Sequence, residues 1–179
     1  MRSCIAFVLL SLTLSAAAPR SKPNNDLYIY VSLTRAERSK DSNSRRTTIT
    51  LDGRKIVYEK VYQGYGRNKR EPVHKEFTIK DEDVLRLGKL VRDHDLLVSN
   101  SLKHTGAGGG GFVSFEISLD VRAGGKRSHI EISWTGKAAG IKEEKLYTDA
   151  RALLEEIFRI LDAQDEELGG EGKLVIDAP

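Results

Sequence analysis

Phe112-Val-Ser-Phe-Glu-Ile-Ser-Leu-Asp-Val-Arg122, followed by Ala123-Gly-Gly-Lys-Arg-Ser128 and His129-Ile-Glu-Ile-Ser-Trp134, decides the fold. Val113, Phe115, Ile117, Leu119 and Val121 are apolar and alternate with Ser114, Glu116, Ser118 and Asp120. Successive side chains of a strand point to opposite faces, so this period of two marks a strand with one buried face. The return limb repeats the alternation, with Ile130, Ile132 and Trp134 set against His129, Glu131 and Ser133. Gly124-Gly125 supplies the positive φ angles of a two-residue turn. Centred there, the hairpin sets Leu119 opposite Ile130, Ile117 opposite Ile132 and Phe115 opposite Trp134. A one-residue slip would put each pair on opposite faces, so turn and pattern select the same register.

Upstream, Leu27–Leu33 alternates in the same way and predicts a first strand, followed by a charged, serine-rich loop over Thr34–Arg45. Arg46–Gln63 reads as a second hairpin turning at Asp52-Gly53. That centre pairs Ile49 with Ile56, Thr47 with Tyr58 and Arg46 with Glu59. A loop over Gly64–Pro72 leads to a short strand, Val73–Ile79. Thr78-Ile-Lys-Asp81 has the form of a capping box, with Asp81 itself an alternative N-cap. Val84, Leu87, Leu90 and Val91 then give a helical stripe ending near Asp93. Ser99–Gly111, closing on Gly106-Ala-Gly-Gly-Gly-Gly111, reads as a loop. A second helix runs from about Glu143 to Leu161, with Glu143 and Glu144 at its positive end. The expected fold is α+β: an antiparallel sheet of hairpins, two helices on one face, order β-β-β-β-α-β-β-α.

The chain begins with Met1-Arg2 and an apolar run, Cys4–Ala18, that ends in small residues. It reads as a signal peptide over 1–17, short of the roughly 20 apolar residues of a membrane span, so no stable anchor is expected. A polar lead-in, 18–26, precedes one domain over 27–161 and an acidic, glycine-rich tail over 162–179. Cys4 is the single cysteine, so the chain forms no internal disulfide. The expected location is extracytoplasmic, periplasmic or secreted, which disfavours nucleic acid as a partner.

The formal net charge is only +3, but its distribution is uneven. Arg35–Lys75 is rich in Lys and Arg, whereas the region after Leu153 is acidic. The densest basic stretch interleaves cations with tyrosine, and Tyr65, Arg67, Lys69, Arg70, His74 and Lys75 are the candidate binding residues. Opposite charge suggests that the acidic tail folds back onto this stretch. His74, His94, His104 and His129 lack the usual zinc spacings, and neither a metal nor a cofactor is expected. No Gly-x-Ser-x-Gly elbow surrounds the strand serines. Glu116, Asp120 and Glu131 share the polar face of the hairpin, a second candidate surface and the one place where paired carboxylates suit acid–base work. Trp134 falls on the apolar side and is expected in the core.

The hairpins, then Phe77-Thr-Ile-Lys-Asp-Glu-Asp-Val-Leu-Arg-Leu-Gly-Lys-Leu-Val91, then Phe115-Glu-Ile-Ser-Leu119 and a closing Leu-rich helix, resemble emfourin-type domains in their order. Those domains inhibit thermolysin-like metallopeptidases. The resemblance implies inhibition of a secreted peptidase as an alternative function and transfers no inhibitory residue. Taken together, the residues point to a non-enzymatic binding domain whose partner is a protein or an anionic envelope polymer. A hydrolase built on the Glu116, Asp120 and Glu131 face is the third reading.

Overall fold

The structure, a computed structural model, describes residues 26–38, 43–64, 71–105, 112–136 and 140–168. Strands β1 (Tyr28–Arg38), β2 (Asn43–Asp52), β3 (Lys55–Gly64) and β4 (Val73–Thr78) form an antiparallel meander. Helix α1 (Asp81–Asp93) follows, then β5 (Asn100–Thr105), β6 (Phe112–Ala123) and β7 (Lys126–Thr135). A 3-10 turn at Ile141–Glu143 leads into α2 (Lys145–Asp162). All seven strands join one sheet in the order β4-β3-β2-β1-β6-β7-β5. Its neighbours are antiparallel except β5, which lies parallel to β7. The expected class holds: a mainly antiparallel sheet with two main helices.

The β6–β7 hairpin has the expected register. Leu119 faces Ile130, Ile117 faces Ile132 and Phe115 faces Trp134. Gly124 and Gly125 sit at φ 56° and 76°, the two positive values that this tight turn demands. The β2–β3 hairpin differs from expectation. Its turn is Gly53-Arg54, so Ile49 faces Tyr58, Leu51 faces Ile56 and Arg46 faces Val61. Gly53 takes φ 57° while Arg54 does not turn positive, which suits glycine at the first central position. Glu59 now faces Thr48, whose hydroxyl donates to its carboxylate at 3.3 Å.

Two segments expected as loops are mostly strand over their described residues. β1 runs on to Arg38 and β2 starts at Asn43, because pairing with each other extends both past the end of their apolar alternation. β5 occupies Asn100–Thr105, where only Leu102 is apolar; β7 supplies its hydrogen bonds, so the strand needs little burial of its own. The residue preceding α1 is Lys80, with no side-chain cap, so neither Thr78 nor Asp81 caps it. Asp81, Glu82 and Asp83 instead place negative charge in the first turn, where the helix dipole is positive. The glycine run 106–111 lies outside the described residues.

One face of the sheet is buried under the helices. Ile29, Val31 and Leu33 of β1, Ile49 and Leu51 of β2, and Ile117 and Leu119 of β6 meet Ile130, Ile132 and Trp134 of β7 there. Onto them pack Val84, Leu87 and Val91 of α1 and Leu153, Leu154, Ile157, Phe158 and Leu161 of α2. Ion pairs at the surface bind the helices to each other: Arg86 to Glu156 at 2.9 Å and Arg159 to Asp83 at 3.0 Å. At the other end of α1, His94 meets the largely buried Asp149 of α2 at 2.8 Å, and Lys145 holds the second oxygen of that carboxylate. Burial works against the charge of Asp149, but Lys145 and His94 outweigh it and keep the carboxyl below its ordinary pKa.

Candidate functional site

Of the six candidate residues, Tyr65, Arg67, Lys69 and Arg70 lie outside the described residues. His74 and Lys75 sit on β4, an edge strand, and as neighbours on a strand they point to opposite faces. His74 is on the open face. Its Nδ1 lies 3.1 Å from Glu59 and its Nε2 3.4 Å from Glu76. Lys75 is on the helix side, where its ammonium is held by Asp165, with Glu167 at 3.8 Å. The two therefore do not form one site. The Lys75 contact does show the first residues after α2 folding back on the basic segment, with Leu168 buried beside them.

The open face is mostly polar, with Val57 and Val61 of β3 as apolar exceptions, and carries no helix among the described residues. Tyr30, Ser32 and Thr34 of β1 lie between Thr48 and Thr50 of β2 and Ser118 of β6, all partly exposed. This hydroxyl-bearing strip is flanked on both sides by a histidine gripped by two carboxylates. His74 with Glu59 and Glu76 is the first. The second is His129, whose Nδ1 is 2.7 Å from Asp120 and whose Nε2 is 3.1 Å from Glu131. Hydrogen bonding to Asp120, then to Glu131, raises the His129 pKa above its ordinary value. Each clamp follows from register: Asp120 faces His129 across β6–β7, Glu59 faces His74 across β3–β4, and Glu131 or Glu76 stands two residues along the same strand.

Chemically the face offers hydroxyl, carboxylate and imidazole groups in fixed rows. Two of the three carboxylates proposed for acid–base work, Asp120 and Glu131, hold His129, while Glu116 lies further along β6 opposite Ser133. A depression of about 140 Å³ runs past Thr34, Lys103, Ser114, Glu116 and Ser133. Another of about 220 Å³ lies at the turn end, lined by Tyr28, Asp120, Arg122 and Arg127. The Arg122 guanidinium rests 5.3 Å from the centre of the Tyr28 ring. Among the described residues no three His, Cys, Asp or Glu side chains group to hold a metal ion. No described helix is long and apolar enough to cross a membrane.

Sequence reasoning missed Arg35 and Arg45. Both sit in the stretch expected as a loop, and the structure sets them opposite each other on β1 and β2. The signal was available: Arg35 continues the odd-numbered face of Leu27, Ile29, Val31 and Leu33.

No family model and no curated protein matches this chain, so the likeness to emfourin-type domains rests on the order of its elements.

Proposed function

We propose that this chain is a non-enzymatic, extracytoplasmic binding domain that holds a partner protein against the open face of its sheet. The observation that supports the reading is the placement of both main helices on one side of a seven-stranded sheet, with an ordered polar grid on the other. Strands about 4.8 Å apart with a rise of about 3.3 Å per residue give that face roughly 800–950 Å². A standard protein–protein interface takes about 800 Å² from each partner. Charges of both signs are interspersed on this face, so recognition there rests on hydrogen bonds and shape more than on net charge. An anionic envelope polymer suits the helix side of the sheet, where Arg35, Arg45 and Lys60 gather.

Affinity capture from the envelope and secreted fractions, at low and high salt, tests the reading. Ser118→Arg plants a long cation mid-face, between Ser32 and Glu131, without touching the core. The expected result is a partner retained by the native chain at both salts and lost with Ser118→Arg, while the melting temperature stays put. Equal retention by both chains would remove the open face from the argument. A peptidase retained and inhibited one-to-one would give the domain the inhibitory role that its element order suggests.

A further inference from the structure

A single row crosses the helix side of the sheet near the end where β1 finishes. It runs Tyr62 on β3, Arg45 on β2, Arg35 on β1, Phe115 on β6 and Trp134 on β7. Like charges directly opposite on neighbouring strands destabilise a sheet, so the Arg35–Arg45 pairing needs a reason. The Arg35 guanidinium carbon lies 5.5 Å from the centre of the Phe115 ring, and that ring stacks on Trp134 at 5.0 Å. One row further in, Lys60 is 4% exposed and its ammonium stands 4.9 Å from the Tyr62 ring centre. Glu37 accepts from Arg35 Nη2 at 2.6 Å.

Three donors in this row are unspent: Arg35 Nε, Arg45 Nη2 and the Trp134 indole N–H are buried without a hydrogen-bond acceptor, and the first two belong to cations. Buried polar groups are almost always bonded, and an orphan donor on a guanidinium calls for an acceptor that carries negative charge. The Arg35 side chain is still 36% exposed, so the group opens to solvent on one side.

We propose that Arg35 and Arg45 form a binding site for an oxyanion group, a carboxylate or phosphate, held across the two guanidiniums against the Phe115 ring. A planar guanidinium matches such groups in both charge and geometry. Lys60 adds positive potential from behind. The site lies on the opposite side of the sheet from the hydroxyl strip and stands whether or not that strip binds a protein.

The chain contains one tryptophan, Trp134, and it is stacked on the ring beneath Arg35. Its fluorescence therefore reports on the site. Inorganic phosphate titrated into the full chain at constant ionic strength should give a saturable change. Arg35→Gln and Arg45→Gln should each weaken it by about tenfold or more. Arg122→Gln, on the open face, should leave it unchanged. The oxyanion has two possible sources: an outside ligand, or the acidic tail of the chain itself. Removing the two side-chain carboxylates of the distal tail with Glu171→Gln and Asp177→Asn separates them, Asp165 and Glu167 being already placed at Lys75. Equal phosphate affinity with and without the tail charges assigns the site to an outside ligand. A response seen only after neutralisation assigns it to the tail. No response in either chain, or one that follows ionic strength alone, overturns the proposal. Should the glutamine variants fail to fold, the arginine Nε–H signals of the native chain decide by NMR. Phosphate-dependent shifts of two such signals that are absent from the Arg122 signal support the site, and none overturns it.

Discussion

Replacing Trp134 with phenylalanine sets two opposing effects against each other. Trp134 is 1% exposed, stacks on Phe115 and meets the edge of Tyr147 at 5.7 Å. Its indole nitrogen is buried without an acceptor. A phenyl ring keeps the stack but removes two carbons, worth roughly 1.5 kcal/mol at about 0.8 kcal/mol per buried carbon group. The void left behind, roughly 40 Å³, adds about 1 kcal/mol at ~24 cal/mol per Å³. Against this, deleting a buried unsatisfied donor returns about 1–3 kcal/mol. Trp134→Phe is therefore expected to lose no more than about 1.5 kcal/mol, whereas Trp134→Ala, which also empties the ring stack, loses about 3–5 kcal/mol. Urea unfolding followed by far-ultraviolet circular dichroism at 25 °C measures both. A loss of 3 kcal/mol or more for the phenylalanine variant would refute the reasoning, because the indole N–H would then be supplying a bond.

Three further outcomes follow from named contacts. Glu156 accepts from Arg159 at 2.8 and 2.9 Å and from Arg86 at 2.9 Å; Arg159 chiefly, then Arg86, lower its pKa against the effect of burial. A depressed folded pKa gives stability that is present above the unfolded value and lost as pH falls through the folded one. Glu156→Gln should thus cost about 1 kcal/mol near pH 7 and flatten the acid limb of a urea-midpoint profile; an unaltered limb would count against the network. The His129 pKa is raised, chiefly by Asp120, so its contribution is present below the unfolded value of about 6.5 and fades as pH rises through the folded pKa. The ring is about half exposed, so an NMR titration should show the raised pKa while His129→Gln changes stability by only a few tenths of a kcal/mol; a titration midpoint below that of a free histidine would break the clamp. Gly125 sits at φ 76° with open space around it, so Gly125→Ala should cost about 1–2 kcal/mol from backbone strain alone and Gly125→Asn less, read as melting temperatures; equal losses would place the cost elsewhere.

The central hairpin was legible because two independent constraints agreed, the Gly124-Gly125 turn and the alternation on both limbs. The β2–β3 register was not, and the reason is geometric. Moving the turn from Asp52-Gly53 to Gly53-Arg54 changes the pairing by two residues, which leaves Ile49, Leu51, Ile56 and Tyr58 on the same face. Alternation cannot distinguish such registers, and both dipeptides contain the glycine. β5 was hidden because an edge strand with a single apolar residue has almost no pattern to read, and its partner β7 lies beyond a further strand. For the candidate site, the opposite directions of His74 and Lys75 were readable from their adjacency once β4 was read as a strand. That Lys75 would meet Asp165 depended on where α2 ends in space, which no local pattern encodes, although opposite charge pointed the right way. Arg35 and Arg45 escaped notice because charge and serine content read as loop, while strand pairing carried the sheet through them.

The seam between β1 and β6 sets the order in which this protein can be made. Val31 pairs with Leu119 and Leu33 with Ile117, so the middle of the sheet joins segments from distant parts of the chain. Strands β1 to β4 can pair locally soon after synthesis, but the outer edge of β1 has no mate until β6 is present. During that interval an edge bearing Ile29, Val31 and Leu33 is a template for any other extended chain. Closing so distant a pair is slow, because the loop between them must be gathered before its contacts form. The β6–β7 turn therefore governs more than stability. Variants that delay that hairpin prolong the exposure of β1, and their first symptom should be aggregation at a concentration where the finished fold is still stable.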